Sequence, residues 1–433
     1  MSYTELISFT IMMVTTLGFI AFLMSKSYRI SSIPILIILG LLFGPILNII
    51  PRELSHHIFG YARIFGLVII LFAEGQNLKW SLIKKHLTSI VLLDTVGLLI
   101  TAIIAGWLFS MVFHLPFSAG FLFGAIISAT DPATLIPLFK QHHVDEDIKT
   151  VIVTESIFND PLGIVLTILA VALIIPQATE AHLLESISHY TTIYPAAVLF
   201  FLYEIISAIL IGAVLGIIGF WIVKKINSDI YPEIYGLIMA FGGFFIGEFA
   251  LTSGYLVATT IGIVFGNHDL IFKGEKGNPN FNAFLSDELK FSEILSELAS
   301  VFIFVLLGAT INLEVIGNTL LKGSIIALAI IFIVRPLAVL IILPLKQWDF
   351  KQYLFIALEG PRGVVPSAMA GLPLSLGLLY HDKILIHWGE IILSSTLITI
   401  ILSVIIETIW VKYLANKLLK KNVHEIKDSP KIV

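Results

Sequence analysis

The sequence predicts an all-α, polytopic membrane protein, and three observations carry that prediction. Of 433 residues, 57% are hydrophobic and 13% charged, with a mean hydropathy of +0.98. A soluble chain carries about 25% charged residues, so too little polar surface is left here to wet a globule. Apolar stretches recur that can cross about 30 Å of hydrocarbon, which takes about 20 helical residues. Lysine and arginine also gather in alternate connections between those stretches, the charge bias that orients membrane spans.

The same composition narrows function. A net charge of −4 argues for no nucleic-acid partner, and the absence of cysteine excludes disulfides and thiolate metal sites. No phosphate-cradling glycine loop and no nucleophile–base pair is present, so neither a nucleotide partner, a cofactor nor enzyme chemistry is expected. The N-terminal run lacks a basic start and a small-residue cleavage site, and it reads as a retained helix.

Thirteen segments fit a span: 6–24, 31–50, 60–75, 88–113, 117–139, 150–175, 194–223, 231–251, 254–267, 293–313, 322–345, 352–379 and 387–415. The third and ninth are short or interrupted by glycine. With the N-terminus outside, the inner connections hold Lys26, Arg29, Lys79, Lys84, Lys85, Lys140, Lys149, Lys224, Lys225, Lys273, Lys276, Lys290, Lys346 and Lys351. Loop 176–193 has no Lys or Arg at all. The C-terminus then lies in the cytoplasm, and a plasma-membrane location is expected. Loop 268–292 reads as the longest cytoplasmic connection. The pairs His56–His57 and His142–His143 read as solvated loop residues.

Two spans are broken. In the fifth, Thr130-Asp131-Pro132 interrupts the helix, because proline gives no amide hydrogen and disfavours helix at the residue before it. Thr130 or Asp131 then reads as the N-cap of a half-helix starting inside the membrane. In the twelfth, Glu359-Gly360-Pro361-Arg362-Gly363 precedes Pro366. If spans 1–6 repeat as 8–13 with the seventh as connector, the two breaks correspond, and the second unit is inserted upside down. Paired interrupted spans of this kind point to a transporter binding site.

The sixth span carries Glu155-Ser156-Ile157-Phe158-Asn159-Asp160-Pro161. A hydrocarbon-embedded carboxylate costs roughly 3 kcal/mol on insertion scales and marks a functional site by default. Ser156 and Asp160 are four apart and share a helix face, with Asn159 beside them. A helix–helix hydrogen-bonding patch explains Ser156 and Asn159 alone, but not an aspartate in mid-run. The cluster is all oxygen, suited to a hard cation or a proton. Asp131 either caps its half-helix, faces the cation, or does both. Glu155 is the natural partner for Arg335 of the eleventh span, since arginine cannot be neutralised. Arg362 balances its own break or Glu359. Glu74, at the inner end of the third span, is a solvated interface group or a site group. Asp94, Glu204, Glu233, Glu248, Glu293, Glu297 and Glu407 also fall in or near spans without a motif.

These motifs together resemble the monovalent cation:proton antiporter superfamily, and most of all the NhaP-type sodium/proton antiporters related to animal sodium/hydrogen exchangers. Ala129-Thr130-Asp131-Pro132, Glu155-Ser156-x-x-Asn159-Asp160 and Gly360-Pro361-Arg362-Gly363 carry the likeness in order and spacing across nearly the whole chain. The resemblance implies a homodimer of thirteen-helix protomers. Residues 1–75 and 194–313 would form the dimer scaffold, 88–175 and 322–415 a moving core with crossing broken helices, and 416–433 a short cytoplasmic tail. It implies Asp160 as the cation and proton carboxylate, Ser156 and Thr130 as oxygen ligands of the transported sodium, Asp131 and Glu74 nearby, and Glu155–Arg335 as a core ion pair. Asn159 in place of a second aspartate is the pattern of electroneutral members, so it bears on charge count rather than ligation. Pro161 departs from the glycine often found there, leaving the Ile157 carbonyl free or the helix kinked. The expected activity is exchange of sodium, with lithium beside it, for one proton. Potassium/proton exchange is the alternative; a channel or a sensor is the reading from another class.

Overall fold

The computed structural model describes residues 2–28, 30–142, 144–175, 184, 192–226, 231–271 and 279–419. Loop 176–193 apart from three residues, the tail beyond 419, Arg29, His143, Lys273 and Lys276, on which expectations above rest, lie outside the described residues. All regular structure among the described residues is helical. In chain order the main helices are α1 (Tyr3–Tyr28), α2 (Ser32–Ile46), α3 (Arg52–Asn77), α4 (Leu87–Phe113), α5 (Phe117–Ser128), α6 (Pro132–His142), α7 (Glu146–Ile174) and α8 (Ile193–Ile226). They continue as α9 (Pro232–Phe249), α10 (Gly254–Gly266), α11 (Pro279–Ala309), α12 (Leu313–Leu345), α13 (Phe350–Leu358), α14 (Val364–Leu379) and α15 (Lys383–Leu414).

Among the described residues, nine helical stretches are long and apolar enough to cross a bilayer, and α2, α10 and α14 are shorter and apolar. Burial divides them. The most apolar window is 83% buried through α5 and into α6, 78% in α7 and 72% in α15, but 28% in α1 and α8. Helices apolar all round and still open on the outside face lipid; those enclosed form the centre. Helix α7 is the hub and touches α3, α4, α5, α6, α8, α10, α13 and α14. It runs through Pro161 as one helix, without the amide that would have bonded the Ile157 carbonyl.

Close packing at the centre depends on small residues. A methyl group placed on Gly120 of α5 would stand 2.2 Å from the Gly106 carbonyl oxygen of α4. The two backbones therefore touch directly, as membrane helices do where glycine allows it.

Three expectations are corrected. Residues 279–292, read as part of a connection, form the first turns of α11. Their charges misled the reading: Asp287 and Lys290 pair at i,i+3 on an exposed face, while Phe284, Glu288 and Ser292 turn inward. The third span is not short, because α3 begins at Arg52 and includes His56 and His57 in helix rather than loop. Two π-helical turns, Leu93–Gly97 in α4 and Ile330–Val334 before Arg335 in α12, lie where the spacing showed only unbroken spans.

Candidate cation site at the crossing of two helix breaks

Helix α5 stops at Ser128, and Ala129 is extended. Helix α13 stops at Leu358, and Glu359 is extended. The two non-helical segments meet, with the Asp131 amide donating to the Pro361 carbonyl at 2.8 Å. Four helix ends thus converge inside the protein, each with orphan backbone groups and a partial charge. Non-helical backbone at this depth persists only where such groups are satisfied, and the sequence supplies a side chain of the right sign for each kind of end.

Asp131 is the cap of α6. Its Oδ2 accepts the Thr134 amide at 2.9 Å and the Thr134 hydroxyl at 2.5 Å, and the amides of Ala133 and Val364 also bond its carboxylate. Val364 is the first residue of α14, so one carboxylate serves two N-termini. The helix C-termini receive arginines. Arg362 Nη1 donates to the carbonyls of Ser128 and Ala129 at 3.0 and 3.1 Å, closing α5. Arg335 Nε and Nη2 donate to the Glu359 carbonyl at 3.2 and 3.1 Å, closing α13. Of the two partners expected for Arg362, its own break or Glu359, the guanidinium takes neither: it is spent on the negative end of α5, and neither oxygen of Glu359 receives a donor among the described residues.

Arg335 also makes the pair expected from the sequence. Its Nη2 donates to Glu155 Oε2 at 2.8 Å and its Nη1 to Glu155 Oε1, a bidentate contact between buried groups.

Ser156 and Asn159 of α7 both bond to Thr130 at the break, and Asp160 follows Asn159 in the same helix. The Thr130 and Ser156 hydroxyls are 2.9 Å apart. Asn159 accepts the Thr130 amide at 2.9 Å and donates to the Thr130 hydroxyl at 2.8 Å. Asn159 therefore clasps the break to α7, a structural task beyond the charge count expected of it. Asp160 is buried, and no donor among the described residues reaches its Oδ1. Glu74, Asp131 and Asp94 are its electrostatic neighbours. Glu74 is half-buried, and its Oε2 is buried without a donor among the described residues.

Gly363 is required by this geometry. A methyl group there would lie 2.2 Å from Asp131 Cγ and 2.5 Å from its Oδ1. Gly363→Ala is expected to push the carboxylate off its four donors. The overpacking cost is about 1–3 kcal/mol, read as a lower unfolding temperature in detergent; a variant with wild-type stability would contradict the fit.

Sequence reasoning missed Asp94 and Glu407. Asp94 sits in the π turn of α4 and Glu407 in α15; both are buried, and Glu407 Oε2 accepts the Gly360 amide at 2.9 Å. The only available hint was their position in spans corresponding to Arg335 and Asn159 in the proposed repeat. Of the other unmotivated acids, Glu293 and Glu297 are exposed on α11.

Comparison with known proteins shows the family. The profile of the sodium/hydrogen exchanger transmembrane family matches residues 11–417. Na(+)/H(+) antiporter 1 of Methanocaldococcus jannaschii is 36% identical over 427 residues, 93% of each chain. The K(+)/H(+) antiporter NhaP2 of Shewanella oneidensis is 27% identical over 72% of this chain and 51% of its own. The solved structure of the sodium proton antiporter MjNhaP1 from M. jannaschii at pH 8 superposes with a TM-score of 0.85 at 33% identity, covering 97% of this chain and all of that one. The chain is a multi-pass membrane protein and belongs to the sodium/hydrogen exchanger family.

Proposed function

We propose that the chain exchanges sodium for protons, one for one, by alternating access. The observation that carries the reading is the Thr130–Ser156–Asn159–Asp160 cluster at the break, with one buried Asp160 oxygen met by no donor. An ionised carboxylate in a low-dielectric site needs a cation or a proton. Thr130 and Ser156 hydroxyls beside it supply the oxygen ligands that a small hard cation prefers. Sodium and a proton then compete for Asp160, and only the neutral forms cross the apolar barrier, which prevents leak of either ion. Lithium fits the same ligands.

The stoichiometry follows from the neighbours. Arg335 is fully engaged with Glu155 and stays charged at any relevant pH, so it adds no proton to the cycle. Asn159 does not titrate. One carboxylate then trades one cation for one proton. Asp131, held by four donors, positions the helix ends and adds negative potential, and Glu74 lines the approach from α3.

The finer architecture belongs to the same reading. Thirteen spans form an inverted repeat, with α5–α6 and α13–α14 as the two broken, crossing members. Residues 88–175 and 322–415 form a core that moves against a scaffold of 1–75 and 194–313, which pairs with a second copy in the plasma membrane. The high burial of α5, α7 and α15 against that of α1 and α8 supports this division. The N-terminus lies outside and the C-terminus inside.

Potassium/proton exchange is the competing reading, favoured by the more distant NhaP2 relatives. Purified protein in proteoliposomes with a pH dye decides between them. Sodium and lithium should move protons, potassium should not, and an imposed membrane potential should leave the rate unchanged. Potassium-driven proton movement, or a clear voltage dependence, would refute the corresponding part.

A further inference from the structure

Arg52, the first residue of α3, makes contacts that the exchange chemistry at Asp160 does not use. Its Nη2 donates to Glu390 Oε1 of α15 at 2.6 Å, and its Nε donates to the Thr310 carbonyl at 2.8 Å. Thr310 directly follows α11, so the guanidinium sits on the negative end of that helix. Phe59 lies two turns further along the same face of α3 and is buried. A methyl group on Gly371 of α14 would stand 2.6 Å from its ring. One face of α3 thus carries a salt bridge to α15 and, beyond it, an aromatic ring seated on a glycine of α14.

These contacts join parts of the chain that the alternating-access reading sets in relative motion. Arg52, Phe59 and Thr310 belong to the scaffold segments of that reading, and Gly371 and Glu390 to its core. The Glu155–Arg335 pair and the Arg362 contacts differ in kind, because both partners there lie in the core segments.

The chemistry of the outer pair suits a contact that opens and closes. Glu390 spends one oxygen on Arg52, and its other oxygen meets no donor among the described residues. The Arg52 side chain is 36% exposed and that of Glu390 14%. Water therefore replaces each partner as they separate, and neither charge is stranded in an apolar place. Arg52 keeps its bond to Thr310 within the scaffold when Glu390 leaves. A partly exposed pair of this kind is weak enough to break in every cycle, whereas separating Glu155 from Arg335 would leave two buried charges alone.

We propose that Arg52 and Glu390 form a latch between scaffold and core, which holds the outer side of the site closed with Phe59 packed on Gly371, and which must release for the site to open outward. The proposal rests on the alternating-access reading and its division of the chain. A latch acts on populations: weakening it raises the outward-open fraction, and a ligand binding that state then binds with higher apparent affinity.

Glu390→Gln removes the charge but leaves an oxygen for Arg52. In membrane vesicles of both orientations, at fixed pH, the sodium KM at the outer face should fall by about threefold, and the KM at the inner face should not fall. A residue that only stabilised the fold would lower the rate without this one-sided change. The chain has no cysteine, so the double variant Arg52→Cys, Glu390→Cys carries the protein's two thiols. Joined by a short-spacer bis-methanethiosulfonate, it should stop exchanging, and a reductant should restore the exchange; either single-cysteine variant should exchange with the reagent present. The arrest is read with whichever of sodium, lithium or potassium moves protons, so it does not depend on the cation. If Glu390→Gln does not fold, the cross-link decides. Exchange by cross-linked protein, or an outer KM that stays or rises in folded Glu390→Gln, would overturn the latch while wild-type exchange left the alternating-access reading standing. A wild type that exchanges no cation would overturn that reading and the latch with it.

Discussion

Replacing Asp160 by asparagine is expected to abolish sodium-dependent proton movement, down to the level of protein-free vesicles. Asparagine preserves shape but can neither carry a proton nor balance a cation. The loss should therefore be functional and not structural, with the variant folding and melting as wild type does. The surroundings explain why no neighbour substitutes. Asp131 is held in place by donors from two helix N-termini, and Glu155 is tied to Arg335. Glu74 belongs to a different helix, without Thr130 and Ser156 as partners. Substantial exchange by a folded Asp160→Asn protein would remove Asp160 from the transport cycle.

The second large effect is on stability. Arg335→Met leaves Glu155 charged, buried and unpaired, and frees the carbonyls of Glu359 and Ile356 that the guanidinium holds. Breaking one partner of a buried pair costs about 3–5 kcal/mol, so the variant should melt far below wild type in detergent, or fail to accumulate. Replacing both partners by apolar residues of similar volume is often close to neutral. The double variant Glu155→Leu, Arg335→Met should therefore recover much of the lost stability, a coupling that a double-mutant cycle measures directly. The recovery cannot be complete, because the end of α13 stays uncapped. A single variant as stable as wild type would show that the pair does not hold the core. A stable double variant without exchange would place the pair in the transport step itself.

Much of the site was legible because its residue types are expensive in a membrane. Asp160, Glu155, Arg335, Asp131 and Pro132 each violate the apolar pattern or the helix, and an uninterrupted span gives no reason for any of them. The pairing of Glu155 with Arg335 followed from charge alone, since a permanent cation in hydrocarbon must have an anion. Glu359 and Arg362 were harder. Adjacency in sequence suggested they balance one another, but the chain turns between them. Arg362 reaches the end of α5, more than two hundred positions earlier in sequence. Asn159 was undervalued for a similar reason: its task is to hold the Thr130 backbone, and a backbone amide left over at a break has no signature in the letters.

The sequence by itself determined that this is a membrane protein of many helices, that two of its spans are interrupted, and which carboxylate is the candidate for the ion. These are consequences of composition, of proline and glycine chemistry, and of the cost of charge in hydrocarbon, all local properties of the chain. Only the tertiary structure decided how the two breaks satisfy each other. The Asp131 amide bonds to the Pro361 carbonyl, Asp131 serves the starts of α6 and α14, and Arg362 and Arg335 serve the ends of α5 and α13. Four helix termini brought to one place present four sets of unpaired groups and four dipole charges that no single segment can balance. Their partners must come from the other half of the chain, and which partner goes where is settled only by folding.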